Sequence, residues 1–158
     1  MLLTRKKRLM IRLRRLEASQ ENCDQLAGRI FALLDEVYEG NSPWTRQVIE
    51  GNLQNPSSIY FLAEDEADRL QAFLSVTELV DELEITNIAV RPESQGQGIA
   101  TSLMQQLSYF EGRLFLEVRR SNLKAQGLYK KLGFEAFHER KNYYSHPIED
   151  AILMKKEA

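Results

Sequence analysis

The sequence predicts a mixed α/β domain arranged around one sheet. Three observations lead to this prediction. Several short apolar runs with strand character fill much of the first half, a loop with two glycines separates a strand from a helical pattern, and two strands close the chain. At 158 residues, the chain suits one domain with a substantial core. No internal repeat or linker divides it, so we expect a single domain over 1–158.

The first half of the chain alternates strand and helix patterns. The stretch 10–16 alternates apolar and charged residues, which predicts a first strand. Apolar residues at helical spacing between Leu26 and Val37 predict a helix that ends at Gly40. Thr45 is placed to cap a short second helix. Three further strands are predicted, over 57–65, 71–80 and 82–90.

The second half contains the glycine loop, two helices and three strands. The helix after the loop has one apolar face, formed by Ile99, Leu103, Met104, Leu107 and Phe110. A strand follows over 113–120, and a second helix has Asn122 near its start and Gly133 just beyond its end. Two strands, over 134–144 and 149–156, complete the predicted order.

Composition and charge exclude several classes of protein. Apolar residues make up 43% of the chain and charged residues 28%, which is ordinary for a globular domain. No apolar run approaches the roughly 20 residues of a membrane span, and charges interrupting the first apolar stretches argue against a secretory signal. A single cysteine, Cys23, excludes an internal disulfide and is typical of a reducing compartment. We expect a soluble cytoplasmic protein with no membrane partner.

The N-terminus is strongly basic although the net charge of the chain is −2. Residues 1–15 hold seven of the 21 basic residues and none of the 23 acidic ones. We expect residues 1–9 to form a flexible basic arm that leads into an edge strand. Contact of this arm with nucleic acid is the less favoured alternative, because the arm has no aromatic residue for base stacking.

The loop at 95–101 has the character of an anion site. Gly96 and Gly98 allow a ligand to approach the backbone and permit positive φ angles. The start of the following helix offers unpaired N–H groups, which suit a phosphate. Two rival motifs fail: a P-loop requires lysine and a hydroxyl residue where Ile99 and Ala100 stand, and a dinucleotide fingerprint requires a small residue where Thr101 stands. A purely structural turn remains the alternative interpretation.

The hexapeptide QGQGIA at 95–100 resembles the signature Gln/Arg-x-x-Gly-x-Gly/Ala of the GNAT superfamily of N-acetyltransferases. The resemblance is strong over 83–154. Within the superfamily the chain is most similar to the RimI branch, which acetylates the N-terminal amine, an alanine, of a ribosomal protein. The motifs NIAV, LEVRRSN, LYKKLGF, RKNYY and EDAILM occur in that branch's order and at similar spacing.

This resemblance implies a mostly antiparallel central sheet, splayed at an acetyl-CoA site and flanked by helices. Acetyl-CoA would be the cosubstrate, with its pantetheine arm between two separated strands and its pyrophosphate on the glycine loop. The residues implied in its binding are Ile88, Ala89, Val90, Gln95, Gly96, Gln97, Gly98, Ile99, Ala100, Thr101 and Asn122. For Asn122, a plain helix cap is an equally good interpretation.

Two residues match the catalytic positions of the branch. Glu117 would be the general base, in a strand where Leu116 and Val118 face the opposite way. The alternative is an ion pair with Arg119 or a neighbouring cation. Tyr129 would be the general acid, at the flank of a helix whose core stripe we expect to be Ala125, Leu128 and Leu132. The alternative is a half-buried tyrosine with a satisfied hydroxyl.

The acceptor side is predicted less directly. Tyr143 and Tyr144 could form an apolar wall for a peptide, with Trp44 on the other side and ordinary packing as the alternative. We expect Glu149 and Asp150 to lie in an exposed turn, with binding of the substrate amine as the alternative. His138 and His146 lack metal-ligand spacing with other donors, so no metal is expected.

The predicted function is transfer of acetyl from acetyl-CoA to a protein N-terminal α-amine, with a ribosomal protein as the partner. One alternative is acetylation of a small-molecule amine or a lysine side chain. The other is a non-catalytic acyl-CoA-binding sensor, which retention of both Glu117 and Tyr129 disfavours.

Overall fold

The computed structural model describes residues 9–16 and 22–157, so all of the predicted arm at 1–9 except Leu9 lies outside the described residues. The helices are α1 (Cys23–Val37), α2 (Arg46–Gln54), α3 (Ile99–Gln105) and α4 (Leu123–Lys131), with 3₁₀ turns at Pro92–Ser94 and Gln106–Tyr109. The strands are β1 (Arg12–Arg15), β2 (Ser58–Glu64), β3 (Leu70–Glu78), β4 (Glu82–Val90), β5 (Arg113–Arg119), β6 (Glu135–Tyr144) and β7 (Glu149–Glu157).

The seven strands form one sheet in the order β1-β2-β3-β4-β5-β7-β6. The pair β4 and β5 is parallel, and the other pairings between the described strands are antiparallel. Helix α3 lies in the connection between β4 and β5, as a parallel pair requires a crossover of this kind. The predicted mixed α/β fold with a mostly antiparallel sheet is confirmed.

A hydrophobic core lies on each face of the sheet. On one face, helices α1 and α2 bury residues that include Leu26, Ile30, Leu33, Leu34 and Ile49 against β2, β3 and Ala89 of β4. On the other face, Ile99, Leu103 and Met104 of α3 and Tyr129 of α4 pack on β2 to β5 and β7. The two cores use alternate residues of the same strands, so the sheet is buried from both sides.

The helix caps follow the sequence closely. Asn22 accepts from the N–H groups of Asp24 and Gln25 at 3.0 and 3.2 Å, and so caps α1. Thr45 accepts from the N–H of Val48 at 3.1 Å, as predicted for α2. These caps satisfy backbone donors that the first helical turn leaves without partners.

Two elements are shorter than the pattern predicts. Helix α3 ends at Gln105, and Leu107 extends the apolar face from a 3₁₀ turn rather than from the helix. Strand β3 ends at Glu78 instead of Val80, because Leu79 donates its N–H to the carbonyl of Glu82 in the turn to β4. Val80 is 97% exposed at the tip of this turn, so its apolar character misled the prediction.

Candidate active site

The site begins where β4 and β5 separate. These strands pair over Glu82–Ile85 and Arg113–Leu116 only. Immediately beyond, the β3–β4 register shifts so that Thr86 is an extra residue in β4, and its hydroxyl donates to the carbonyl of Ser75 at 3.0 Å. A bulge bends its strand and interrupts the ladder. The bulge at Thr86 therefore coincides with the opening of a gap between the two strands.

Backbone groups of β4 alternate between β3 and this gap. Arg91 donates its N–H to the carbonyl of Gln71 in β3 at 2.8 Å. In an antiparallel pair every second residue of a strand is hydrogen-bonded to the same neighbour, so this bond shows which residues of β4 face β3. By this alternation Ala89 is bonded to β3, and its side chain is buried in the α1–α2 core. Ile88 and Val90 instead turn their N–H and C=O groups toward the gap. Except for the carbonyl of Val90, which accepts from Nε2 of Gln95 at 3.0 Å, they offer the free strand edge that an extended ligand requires.

The glycine loop closes one end of the gap. Gly96 and Gly98 have φ angles of 78° and 79°, in the left-handed region that favours glycine. A Cβ atom at either position would meet no heavy atom within 4 Å, so open space lies beside both residues. The first turn of α3 adds N–H groups from Ile99 onward that have no acceptor within the helix.

One cavity of about 610 Å³ brings most of the predicted site residues together. Its lining includes Trp44, Ile88, Ala89, Val90, Gln95, Gly96, Gly98, Ile99, Ala100, Thr101, Glu117, Asn122, Tyr129 and Tyr144. Gln97 is not in this lining; it borders a smaller pocket with Leu9, Ile11 and Leu13. Tyr143 also lies outside the lining, and the nearby Glu117 carboxylate raises the pKa of its hydroxyl.

Glu117 lies in the middle of β5 on the α1–α2 face of the sheet, with 15% of its side chain exposed. Its carboxylate lies 3.5 Å from the guanidinium of Arg140 in β6 and near the hydroxyl of Tyr143, whose pKa it raises. The sequence left Arg119 open as the ion-pair partner, but Arg119 pairs with Glu149 at 3.3 Å. The carboxylate is thus held in place while one side of it faces the cavity.

Tyr129 is the buried residue of α4, with 7% of its surface exposed. This corrects the predicted core stripe, because Ala125, Leu128 and Leu132 are only half-buried. Burial, and secondly the nearby phenol of Tyr38, raises the pKa of the Tyr129 hydroxyl. A phenol with a raised pKa stays protonated at neutral pH and can donate a hydrogen bond into the cavity.

The β6–β7 hairpin forms the wall of the cavity beside Glu117. The Arg119 guanidinium lies 4.4 Å from the centre of the Tyr144 ring and donates to the carbonyl of Pro147 at 3.2 Å. Burial raises the pKa of Tyr144 to about 12. Glu149 and Asp150 begin β7 and form ion pairs, so the expectation of an exposed turn is wrong.

Asn122 caps a helix and also lines the cavity, two alternatives between which the sequence could not decide. Its side chain accepts from the N–H of Ala125 at 3.1 Å and therefore caps α4. The same residue lines the cavity at the end of β5. The amide NH₂ of Asn122 is not used by the cap, so it can serve a ligand as well.

The sequence reasoning missed several residues of the site, and three of them bear on its chemistry. Tyr38, directly after α1, lines the cavity, and so does Lys124 in the first turn of α4. Glu84 lies on β4 beside the first residues of β5, on the same face as Glu117. Glu84 carried the same signal as Glu117, an acidic residue at a half-buried strand position.

Across residues 9–16 and 22–157, no group of three or more His, Cys, Asp or Glu residues could hold a metal ion. Within the same ranges, no helix is both long and apolar enough to cross a membrane.

Comparison with known proteins gives the family. Residues 25–134 match the sequence profile of the Acetyltransferase (GNAT) family. The ribosomal protein bS18-alanine N-acetyltransferase of Haemophilus ducreyi is 38% identical over 121 residues, which cover 71% of this chain and 81% of that protein. The crystal structure of the Escherichia coli ribosomal-protein-S18-alanine N-acetyltransferase has a TM-score of 0.79, 28% identity and 94% coverage of both chains.

A third comparison concerns the fold. A GNAT family acetyltransferase from Elizabethkingia anophelis, solved with acetyl-CoA bound, has a TM-score of 0.71 and 22% identity, and the match covers 97% of this chain and all of that one. At this identity the likeness shows the shared fold. The glycine loop, the separated strands and these matches lead to one conclusion: the chain belongs to the acetyltransferase (GNAT) family.

Proposed function

We propose that the protein transfers the acetyl group of acetyl-CoA to the N-terminal α-amine of a ribosomal protein in the cytoplasm. The names of the relatives indicate the N-terminal alanine of bS18 as the acceptor. The single observation that carries the proposal is that Glu117 and Tyr129 line the same cavity as the glycine loop. The proposed base, the proposed acid and the proposed phosphate-binding turn could therefore act on acetyl-CoA and an acceptor amine bound in the same cavity.

The residues around the gap suit acetyl-CoA. The backbone edges of Ile88 and Val90 would bond the pantetheine amides, and the loop from Gly96 to Thr101 would hold the pyrophosphate with N–H groups. The open space beside both loop glycines supports this assignment. Acetyl-CoA supplies the acyl group as a thioester.

Glu117 would act on the acceptor amine. The amine attacks only when neutral, and at pH 7 this form costs about 1.4 kcal/mol for an α-amine of pKa near 8, against about 4.6 kcal/mol for a lysine. A single carboxylate that accepts one proton, directly or through water, is a sufficient base for an α-amine. Its position on the acceptor side, beside Tyr143 and Tyr144, matches this role.

Tyr129 would act on the leaving group. A protonated phenol can hydrogen-bond the charge that develops on the departing thiolate, whose pKa is near 8.5, and can supply the proton that the free thiol finally carries. Burial keeps this phenol protonated. The two proposed catalytic groups belong to opposite faces of the sheet, and both line the cavity at the gap between β4 and β5.

The acceptor peptide would lie between Trp44 and the tyrosines of the β6–β7 hairpin. Trp44 and Tyr144 line the cavity from different parts of the chain. Tyr143 packs edge-on against Tyr144 at 5.1 Å between ring centres, which makes a rigid aromatic wall. Phenol hydroxyls and β-strand edges can then bond the peptide backbone.

The test is mass spectrometry after incubation with acetyl-CoA. The acceptors would be a bS18 N-terminal peptide carrying an internal lysine, the same peptide with a blocked N-terminus, and spermidine. We expect one acetyl group on the free α-amine and none on the other two. Transfer only to the lysine or to spermidine would identify a different acceptor class, and binding of acetyl-CoA without transfer to any acceptor would indicate a sensor.

A further inference from the structure

We propose that Lys124 is a phosphate-binding residue of the coenzyme A site, which supplies the positive charge that the glycine loop lacks. This inference deepens the proposed function and rests on it. It assigns a role to a side chain outside the signature hexapeptide, on the opposite side of the gap.

The first support is the position of the Lys124 side chain. Its Nζ lies 3.1 Å from Oε1 of Gln95, the first residue of the glycine loop. The Nε2 of Gln95 donates in turn to the carbonyl of Val90 at 3.0 Å. The three residues form a bridge from the end of β4 to the start of α4, across the mouth of the gap. Lys124 lines the cavity together with Gly96 and Gly98.

The second support is the charge around the cavity. The loop 95–101 holds no basic residue, so its own contribution to phosphate binding is limited to N–H dipoles. Among the described lining residues, the two cations are Arg119 and Lys124. Arg119 is engaged with Glu149 and the hairpin carbonyls. Lys124 contacts a neutral amide oxygen. Its charge is therefore available to an anion.

The third support concerns the acidic residue beside the loop. Glu93, two residues before Gln95, pairs with Arg69 at 2.8 Å. Its negative charge is therefore compensated before a phosphate arrives. A lysine ammonium has three donors on a flexible stem, so it can exchange the Gln95 oxygen for a phosphate oxygen without backbone movement. Charge-assisted bonds of this kind are about twice as strong as neutral ones.

The experiment measures the Kd of coenzyme A by calorimetry for the wild type and for Lys124→Ala, Lys124→Gln and Lys124→Arg. We expect the Ala and Gln variants to bind about five- to tenfold more weakly at low salt, and Arg to stay within about twofold of the wild type. Lys131→Ala, at the exposed far end of α4, is the matched control and should bind like the wild type. The salt dependence of Kd should be shallower in the Ala and Gln variants.

A second arm separates phosphate contact from loop shape. S-acetyl-pantetheine lacks all the phosphates, so its KM as acetyl donor should be the same in the wild type and in Lys124→Ala. The same comparison is made with 3′-dephospho-CoA. If Lys124→Ala still binds this ligand more weakly than the wild type does, the contact is with the pyrophosphate; if the two proteins bind it equally well, the contact is with the 3′-phosphate. Either result supports a phosphate contact.

Two results would overturn the inference. One is wild-type affinity of Lys124→Ala for coenzyme A, in a wild-type protein that binds it and transfers acetyl; the proposed function would then stand without this role. The other is an equal loss with S-acetyl-pantetheine, which would show that Lys124 acts by shaping the loop. A wild-type protein that binds no coenzyme A would remove the proposed function together with the inference.

Discussion

The carboxylate of Glu117 lies 3.5 Å from the guanidinium of Arg140, although strand β7 separates their strands in the sheet. Arg140 is about half exposed, whereas Glu117 is nearly buried, so the ion pair runs from the exposed side of the β6–β7 hairpin to the interior of the cavity. Tyr143 lies near the same carboxylate, which raises the pKa of the Tyr143 hydroxyl. The proposed base is therefore oriented from the hairpin side before any acceptor binds.

The substitution Glu117→Gln should lower kcat by about 100-fold or more, because an amide cannot accept the amine proton. The rise in rate with pH should also flatten, since only peptide amines that are already neutral would react. Initial rates between pH 6 and 9 with an alanine-initiated peptide would measure both effects. Glu135→Gln, an exposed change on β6, is the control. An unchanged kcat for Glu117→Gln would reject the role of base.

The substitution Tyr129→Phe should lower kcat by about 100-fold while the Kd of coenzyme A changes by less than about twofold. The ring and its packing on Phe134 at 6.0 Å are retained, and only the donor hydroxyl is lost. Steady-state kinetics and calorimetry separate the two quantities. Tyr109→Phe removes an exposed hydroxyl and should leave both unchanged. A variant that loses coenzyme A affinity but keeps its kcat would contradict the assignment of Tyr129 as acid.

The substitution Gly98→Ala should weaken coenzyme A binding by about tenfold or more and lower the free energy of unfolding by about 1 kcal/mol. The φ angle of 79° is unfavourable for alanine, and the new methyl group would enter the open space of the cavity. Gly51→Ala, in α2, is a matched control with free space and no positive φ angle. It should stabilise the fold by about 0.5–1 kcal/mol. Equal behaviour of the two variants would refute this reading of the loop.

The substitution Glu84→Gln should stabilise the protein more at pH 7 than at pH 4. Burial, and secondly repulsion from Glu117, raises the pKa of Glu84 above its ordinary value near 4.5. The folded state therefore holds this proton more tightly than the unfolded state, and the associated stability is lost as pH rises through the raised pKa. Urea unfolding midpoints at the two pH values would test this. Glu66→Gln, in an exposed turn, should show no such difference.

Features that depend on neighbours in the chain could be predicted from the sequence. Local patterns predicted the cap by Thr45, the strand 82–90 and the glycine loop at the start of a helix. The structure has each of these features at the predicted position. The family, the mixed α/β fold and an N-acetyltransferase activity are confirmed by the comparisons. The roles of Glu117 and Tyr129 stay predictions. The structure adds that both line one cavity.

The sequence by itself determined which segments become strands and helices and where the loop with two glycines lies, because spacing, caps and glycines act over a few residues. Only the tertiary structure decided that Thr86 forms the bulge where the gap opens, that Arg140 rather than Arg119 reaches Glu117, and that Lys124 meets Gln95. These contacts join residues far apart in the chain, so they depend on strand register and helix packing, which local patterns do not encode.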